Sequence, residues 1–296
     1  VASRRIWFAT LVALGVCSSP AVAGGGDIQN SAKHVRPKPK HANADRGQAY
    51  YDGCHVANSA TTSPPCVYGD PRSATTVVLF GDSHALHFFP ALKRVAERRD
   101  WRLVNLTKSG CPPAAIDVYY RREHRFYSEC ARWRENTLRR IEDTEKPALV
   151  VTGASIYTGV MEAGKVLSGR EARTALGRGY AAILERLVAD GMRVVAIRDV
   201  PRVPGSIPKC VAKHMRQLRR CAFSKHEGLP HPDAVRAALR GVAGVRLIDA
   251  TSRLCVGRLC PAVIDDVLVY RDQGHLTATY AATLAPWLTR KLRDLP

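Results

Sequence analysis

Thr76-Val77-Val78-Leu79-Phe80-Gly81-Asp82-Ser83-His84-Ala85 is the stretch on which the reading of this chain turns. Its first five residues form a short apolar run rich in β-branched side chains, as expected of a strand buried on both faces of a parallel sheet. Gly81 permits a tight turn. Helical periodicity then runs over residues 85–99 through Leu86, Phe89, Leu92, Val95 and Ala96. Ser83 therefore sits at or near a helix start, just past the carboxyl end of a strand, where open parallel sheets hold their ligands. There its Oγ points into the crevice, and its N–H, lacking an intrahelical partner, can stabilise an oxyanion. The same residue types also cap helices with no chemistry attached, so Asp82 or Ser83 as an N-cap is an equal alternative for the tetrapeptide taken alone.

Working outward, residues 101–106, 148–152, 192–197 and 245–248 read as four further strands, the second an apolar run like the first. Residues 131–142, 170–190 and 232–240 read as helices. Gly191 lies at the C-cap of the second, and Pro232 suits the first turn of the third. Residues 262–270 read as a hairpin turning at Asp265-Asp266, and residues 276–292 as the final helix. Alternation of strand and helix predicts an α/β fold with a central parallel sheet covered on both faces.

The ends of the chain and its charge bear on location. Lys plus Arg outnumber Asp plus Glu by 45 to 26, a net charge of +19. Such a surface favours anionic partners, yet the basic residues are scattered and no zinc-finger or RNA-binding signature accompanies them. No nucleic-acid partner is expected. Arg4 and Arg5 precede an apolar stretch over residues 6–16, and Ala21-Val22-Ala23 fits a small-residue cleavage site. Residues 1–23 thus read as an export signal, with a start similar to a twin-arginine leader; the alternative is an uncut N-terminal anchor. Residues 24–50, with three consecutive Gly and then Pro37 and Pro39 among Lys, His and Asn, read as a flexible basic linker. Residues 51–296 are left as one domain. Of nine Cys, one (Cys17) falls in the leader. The remaining eight lie in local couples, Cys54 and Cys66, Cys111 and Cys130, Cys210 and Cys221, Cys255 and Cys260, and disulfides are the default in an oxidising compartment. Pairing by proximity is one of 105 connectivities. With no closely spaced Cys pair, no metal site is expected.

A serine nucleophile needs a base, and the base an orienting group. Asp272-Gln273-Gly274-His275 lies directly before the last helix, and three-residue spacing in a turn lets the Asp272 carboxylate reach Nδ1 of His275, leaving Nε2 for Ser83. Capping is the alternative role for Asp272. His84 could line the acyl site or act as a hydrogen-bonding neighbour, and Asp82 is expected to hold the turn. A catalytic His of this kind predicts a rate that falls as pH drops through roughly 6 to 7.

These motifs carry a resemblance. The chain resembles the SGNH (GDSL-like) hydrolase superfamily, and more closely the SGNH domains fused to acyltransferase-3 membrane domains in bacterial surface-modifying proteins. The matching blocks are Gly81-Asp82-Ser83-His84-Ala85, Thr107-Lys108-Ser109-Gly110-Cys111-Pro112-Pro113, and Val269-Tyr270-Arg271-Asp272-Gln273-Gly274-His275-Leu276-Thr277. The resemblance implies a three-layer α/β/α sandwich of flavodoxin-like type and a catalytic set of Ser83, Asp272 and His275. It further implies an oxyanion hole from Ser83, Gly110 and the third block. That block should read Gly-x-Asn, but here it is Gly153-Ala154-Ser155, so Ser155 stands where an amide is expected. The α/β-hydrolase elbow G-x-S-x-G is not matched, because Ala85 stands two residues beyond Ser83. The implied activity is that of an esterase or O-acyltransferase, with an acetyl group and a cell-envelope glycan, working as a monomer without cofactor; a separate membrane acyltransferase is the partner the resemblance suggests. The alternatives are a weak or inactive glycan-binding relative and an envelope lipase or phospholipase.

Overall fold

The run Thr76–Phe80 is an interior strand of the main sheet. A computed structural model describes residues 28–229 and 232–295. In chain order, β1 (His55–Val56), β2 (Val67–Gly69), β3 (Thr76–Gly81) and β4 (Arg102–Lys108) belong to that sheet, whereas β5 (Asp117–Tyr120) and β6 (Arg125–Phe126) do not. The chain returns to it with β7 (Leu149–Gly153), leaves for β8 (Val160–Glu162) and β9 (Lys165–Leu167), and returns with β10 (Arg193–Ile197). A short strand, β11 (Phe223–Ser224), pairs with Leu259–Cys260 before β12 (Val245–Ile248) closes the far edge. The order is β1-β4-β3-β7-β10-β12, all parallel, with β2 antiparallel on β4.

Both faces of β3 are buried, which is why its sequence is apolar without alternation. Val77 and Leu79 enter one core with the helices Phe89–Arg98, Ala278–Thr283 and Ala285–Lys291. Val78 and Phe80 enter the other with Ser128–Arg139, Gly169–Ala189 and Ala234–Arg240. Each such side chain contributes about 1.5–3 kcal/mol relative to an exposed position. The result is the expected three-layer α/β/α sandwich. The parallel register brings Gly81 opposite both Thr107 and Gly153, and Gly153 opposite Ile197, so the carboxyl ends of four strands share one edge.

Proline divides two of the expected helices. Residues 85–99 form Ser83–Leu86 and then Phe89–Arg98, with Pro90 in the first turn of the second. Residues 276–292 form Ala278–Thr283 and Ala285–Lys291, with Pro286 in the first turn. A residue without an N–H restarts a helix more readily than it continues one. The hairpin turns as expected, with Asp265 and Asp266 at φ 50° and 58° between Val263–Ile264 and Val267–Leu268.

The flexible linker expected over residues 24–50 is corrected over its described part, 28–50. Val35, Ala42 and Ala49 are buried. Arg36 bridges to Val267, Ala32 N–H donates to the Met215 carbonyl, and the Asp45 carboxylate accepts from Thr279 N–H at 3.0 Å. Three apolar side chains and these hydrogen bonds seat the segment; an average over its polar composition hides them. The export signal expected over 1–23, with Cys17, lies outside the described residues. The other eight Cys form four disulfides, Cys54–Cys66, Cys111–Cys130, Cys210–Cys221 and Cys255–Cys260. A further four-stranded antiparallel sheet, ordered β6-β5-β8-β9, is unforeseen. Its strands are two to four residues long and partly exposed, so they carry no periodic signal.

Candidate active site

The turn after β3 is built by close approach. A Cβ at position 81, where φ is 152°, would stand 2.2 Å from the Gly153 carbonyl oxygen. Only glycine lets β3 and β7 come together beneath the helix that begins at Ser83. Asp82 caps that helix: its Oδ1 accepts from His84 N–H at 2.7 Å and its Oδ2 from Ser155 N–H at 3.0 Å. Burial raises the Asp82 pKa, and the His84 charge and these two N–H groups oppose the rise. Asp82 thus ties the first motif block to the third.

Ser83, left at the helix start, meets the C-terminal turn. Its Oγ lies 2.8 Å from His275 Nε2. His275 Nδ1 lies 2.9 Å from both carboxylate oxygens of Asp272. Asp272 Oδ1 also accepts the backbone N–H of Gly274 at 2.9 Å and of His275 at 2.8 Å, so one carboxylate caps the turn and orients the ring. The two roles left open for Asp272 by the sequence coexist. Buried Arg271 stands 3.5 Å from Asp272 and donates to the Tyr50 hydroxyl at 3.2 Å. Burial alone would raise the Asp272 pKa; the His275 hydrogen bond and charge, the Gly274 N–H and Arg271 prevail and hold it well below the usual carboxylate range.

A second His–Asp pair, missed in the sequence, adjoins the first. His84 Nδ1 lies 2.6 Å from Asp199 Oδ1, and Asp199 also accepts from Val200 N–H at 2.8 Å and Ile156 N–H at 3.0 Å. The His84 ring centroid is 4.6 Å from that of His275. A Cβ on Gly274 would stand 3.3 Å from His84 Cε1. Burial works against the charged form of His84, but Asp199, helped by Asp82 and Asp272, lifts its pKa to about 9. His275 shifts the other way. Burial lowers it first, the charges of His84 and Arg271 add to that, and Asp272 only partly offsets them. Asp199 lies two residues past β10, so inspecting every strand's carboxyl end would have flagged it.

A pocket of about 240 Å³ opens at Ser83 and is also lined by Gly110, Ser155, Asn58 and Tyr127. Among the described residues, neither Ser83 N–H nor Gly110 N–H has an acceptor. Ser155 shares the pocket, but its N–H is committed to Asp82 and its Oγ accepts from Tyr157 N–H at 3.3 Å. Asn58, beyond β1, was not expected. It brings a side-chain amide into this pocket, with its Nδ2 3.5 Å from the Ser109 carbonyl.

Fold and site together define a Ser–His–Asp protein of the α/β/α class. A family profile, the SGNH domain (fused to AT3 domains), matches residues 53–290, and the chain belongs to that family. Among solved structures it is similar to the periplasmic domain of a lipopolysaccharide acetyltransferase from Salmonella ser. Paratyphi A. The TM-score is 0.54 at 18% identity, covering 86% of this chain and 94% of that one. It is also similar to a putative acylhydrolase from Bacteroides fragilis (TM-score 0.41, 14% identity, 76% and 90% covered). A third likeness is to a carbohydrate acetylesterase family member from Sinorhizobium meliloti (TM-score 0.40, 13% identity, 74% and 99% covered). No curated protein matches the chain.

Proposed function

We propose that this domain is a serine esterase or O-acyltransferase that carries a small acyl group, of acetyl size, on Ser83 and passes it to water or to a hydroxyl of a cell-envelope glycan. The observation that carries the reading is the unbroken chain of contacts from Ser83 Oγ through His275 to Asp272. His275, kept neutral, takes the Ser83 proton as Oγ attacks the ester carbonyl. It returns that proton to the leaving alkoxide. Water or a sugar hydroxyl then gives a proton to His275 and attacks the acyl-serine, and Ser83 Oγ leaves with that proton. Asp272 fixes the tautomer in both halves. The Ser83 and Gly110 N–H groups face the developing oxyanion. Asn58 supplies the third donor in place of the amide that Ser155 lacks; one such donor is worth on the order of 3 kcal/mol in the transition state.

Several features support the substrate class. The pocket at Ser83 is small, about 240 Å³. Relatives in this family are fused to AT3 domains, which suits a domain that receives its acyl group from a membrane acyltransferase. The four disulfides suit an oxidising compartment outside the cytoplasm. No helix among the described residues is long and apolar enough to cross a membrane. The test is incubation with a chromogenic acetyl ester, with and without glycan, followed by mass analysis of both products. Release of acetate, or its appearance on the glycan, is expected from the wild type and not from folded Ser83→Ala. Equal rates in the two proteins would overturn the reading.

A further inference from the structure

Beside the Ser83 pocket lies a larger cavity of about 530 Å³. Tyr119, Arg121, Tyr157 and Thr158 line both, so a ligand filling the larger space reaches toward Ser83. Three arginines from separate parts of the chain converge on the larger cavity: Arg121 just after β5, Arg173 in the first turns of the helix Gly169–Ala189, and Arg202 in the segment after β10. That last segment is fixed, since Arg202 N–H donates to the Gly228 carbonyl and Val203 N–H to the Gln273 carbonyl, both at 2.8 Å.

The three differ from the other arginines near this end of the fold. Arg198 pairs with Asp233 and Asp249, and Arg125 with Glu123 and Glu129. None of Arg121, Arg173 and Arg202 has a side-chain hydrogen bond or ion pair with any described residue, and no Asp or Glu among the described residues lines the cavity. Arg173 Nε is buried without a partner. The Arg202 guanidinium lies over the Tyr157 ring, 4.8 Å from its centroid. Gathering like charges without a counter-charge is costly, and a bound anion would relieve both the repulsion and the unmet donors. A neutral ligand would relieve neither. Tyr119 and Tyr157 also line the cavity.

We propose that this cavity is the acceptor subsite for an anionic glycan, whose carboxylate or phosphate is held by Arg121, Arg173 and Arg202 while a neighbouring sugar hydroxyl points toward Ser83. The proposal rests on the acyl-transfer reading of the Ser83 site, and its test is separable from that reading. Binding is measured by calorimetry on Ser83→Ala protein, where no transfer takes place, and repeated on the wild type. The probes are an oligouronide, a phosphorylated oligosaccharide and a neutral oligosaccharide of the same length. An anionic probe should bind, more weakly as salt is raised, and the neutral one should not; the tighter of the two anionic probes identifies the source of the charge. Arg173→Gln and Arg202→Gln should each weaken anionic binding by about tenfold or more, with melting temperatures close to the parent's. Equal affinity for neutral and anionic probes, no binding of any probe, or indifference to both substitutions would overturn the subsite. None of these outcomes would touch the turnover of a simple ester, which tests the other reading.

Discussion

The two His–Asp pairs at the carboxyl edge of the sheet are close in space and opposite in character. His275 and Asp272 sit three residues apart on one turn, partly open to solvent, with the free ring nitrogen on Ser83. His84 and Asp199 are 115 residues apart in sequence, both buried, and make no hydrogen bond to Ser83 among the described contacts. His84 is held in its charged form; His275 is held neutral, in part by the charge of its neighbour. A carboxylate at hydrogen-bond distance therefore does not make a histidine the base. On the proposed mechanism the base is the ring whose free nitrogen faces Ser83 and whose surroundings disfavour the cation. Environments that push two similar groups apart in pKa divide the roles between them.

The most severe way to break this contrast is to remove the base. His275→Ala should lower kcat by roughly a thousandfold or more, since the residues of a catalytic set act as a unit, and adding Asp272→Asn should cost little further. If His84 were the base, its loss and not that of His275 would abolish turnover. Asp272→Asn alone keeps the cap but favours the wrong tautomer, and should lower kcat by about a hundredfold to ten-thousandfold. Asn caps helices nearly as well as Asp, so the melting temperature should hardly move. An unchanged kcat would reduce the set to Ser83 and His275.

Asp199→Asn sharpens the comparison from the other side. Without its carboxylate His84 loses the partner that keeps it charged, and His275 is relieved of a neighbouring cation. The acid limb of kcat/KM should then move upward. In the wild type that limb falls below the ordinary His value of 6.5, because burial and the charge of His84 disfavour the protonated ring. An acid limb unmoved by Asp199→Asn would show that His84 exerts no field on the base. The smallest effect is on stability. The folded pKa of His84 is raised, to about 9, above its ordinary 6.5. The pair's contribution is therefore fully present below about pH 6.5 and lost as pH rises through about 9. Melting temperature should decline across that window in the wild type and stay flatter in Asp199→Asn.

What the sequence disclosed follows from how local each signal is. Strands buried on both faces announced themselves as apolar runs. The first His–Asp pair was legible because its members share a turn, and Ser83 because it follows a strand. Asp199 and Asn58 enter the site only through the sheet register, which aligns the ends of strands far apart in sequence. The Arg121, Arg173 and Arg202 grouping likewise depends on the small antiparallel sheet and on β10, and nothing in their sequence neighbourhoods links them. Residues 28–50 misled for a different reason: Tyr50, which holds Arg271 behind Asp272, sits in a stretch whose average composition reads as solvent-facing.

Rapid quench in acid tests directly whether Ser83 carries the acyl group. Protein mixed with an activated acetyl ester, quenched within the first turnovers and digested, should show one added acetyl on the peptide containing Ser83. That label should be absent from Ser83→Ala, and it should accumulate in proteins whose second step is slowed. An acetyl label on another residue, or steady turnover in Ser83→Ala, would contradict the account.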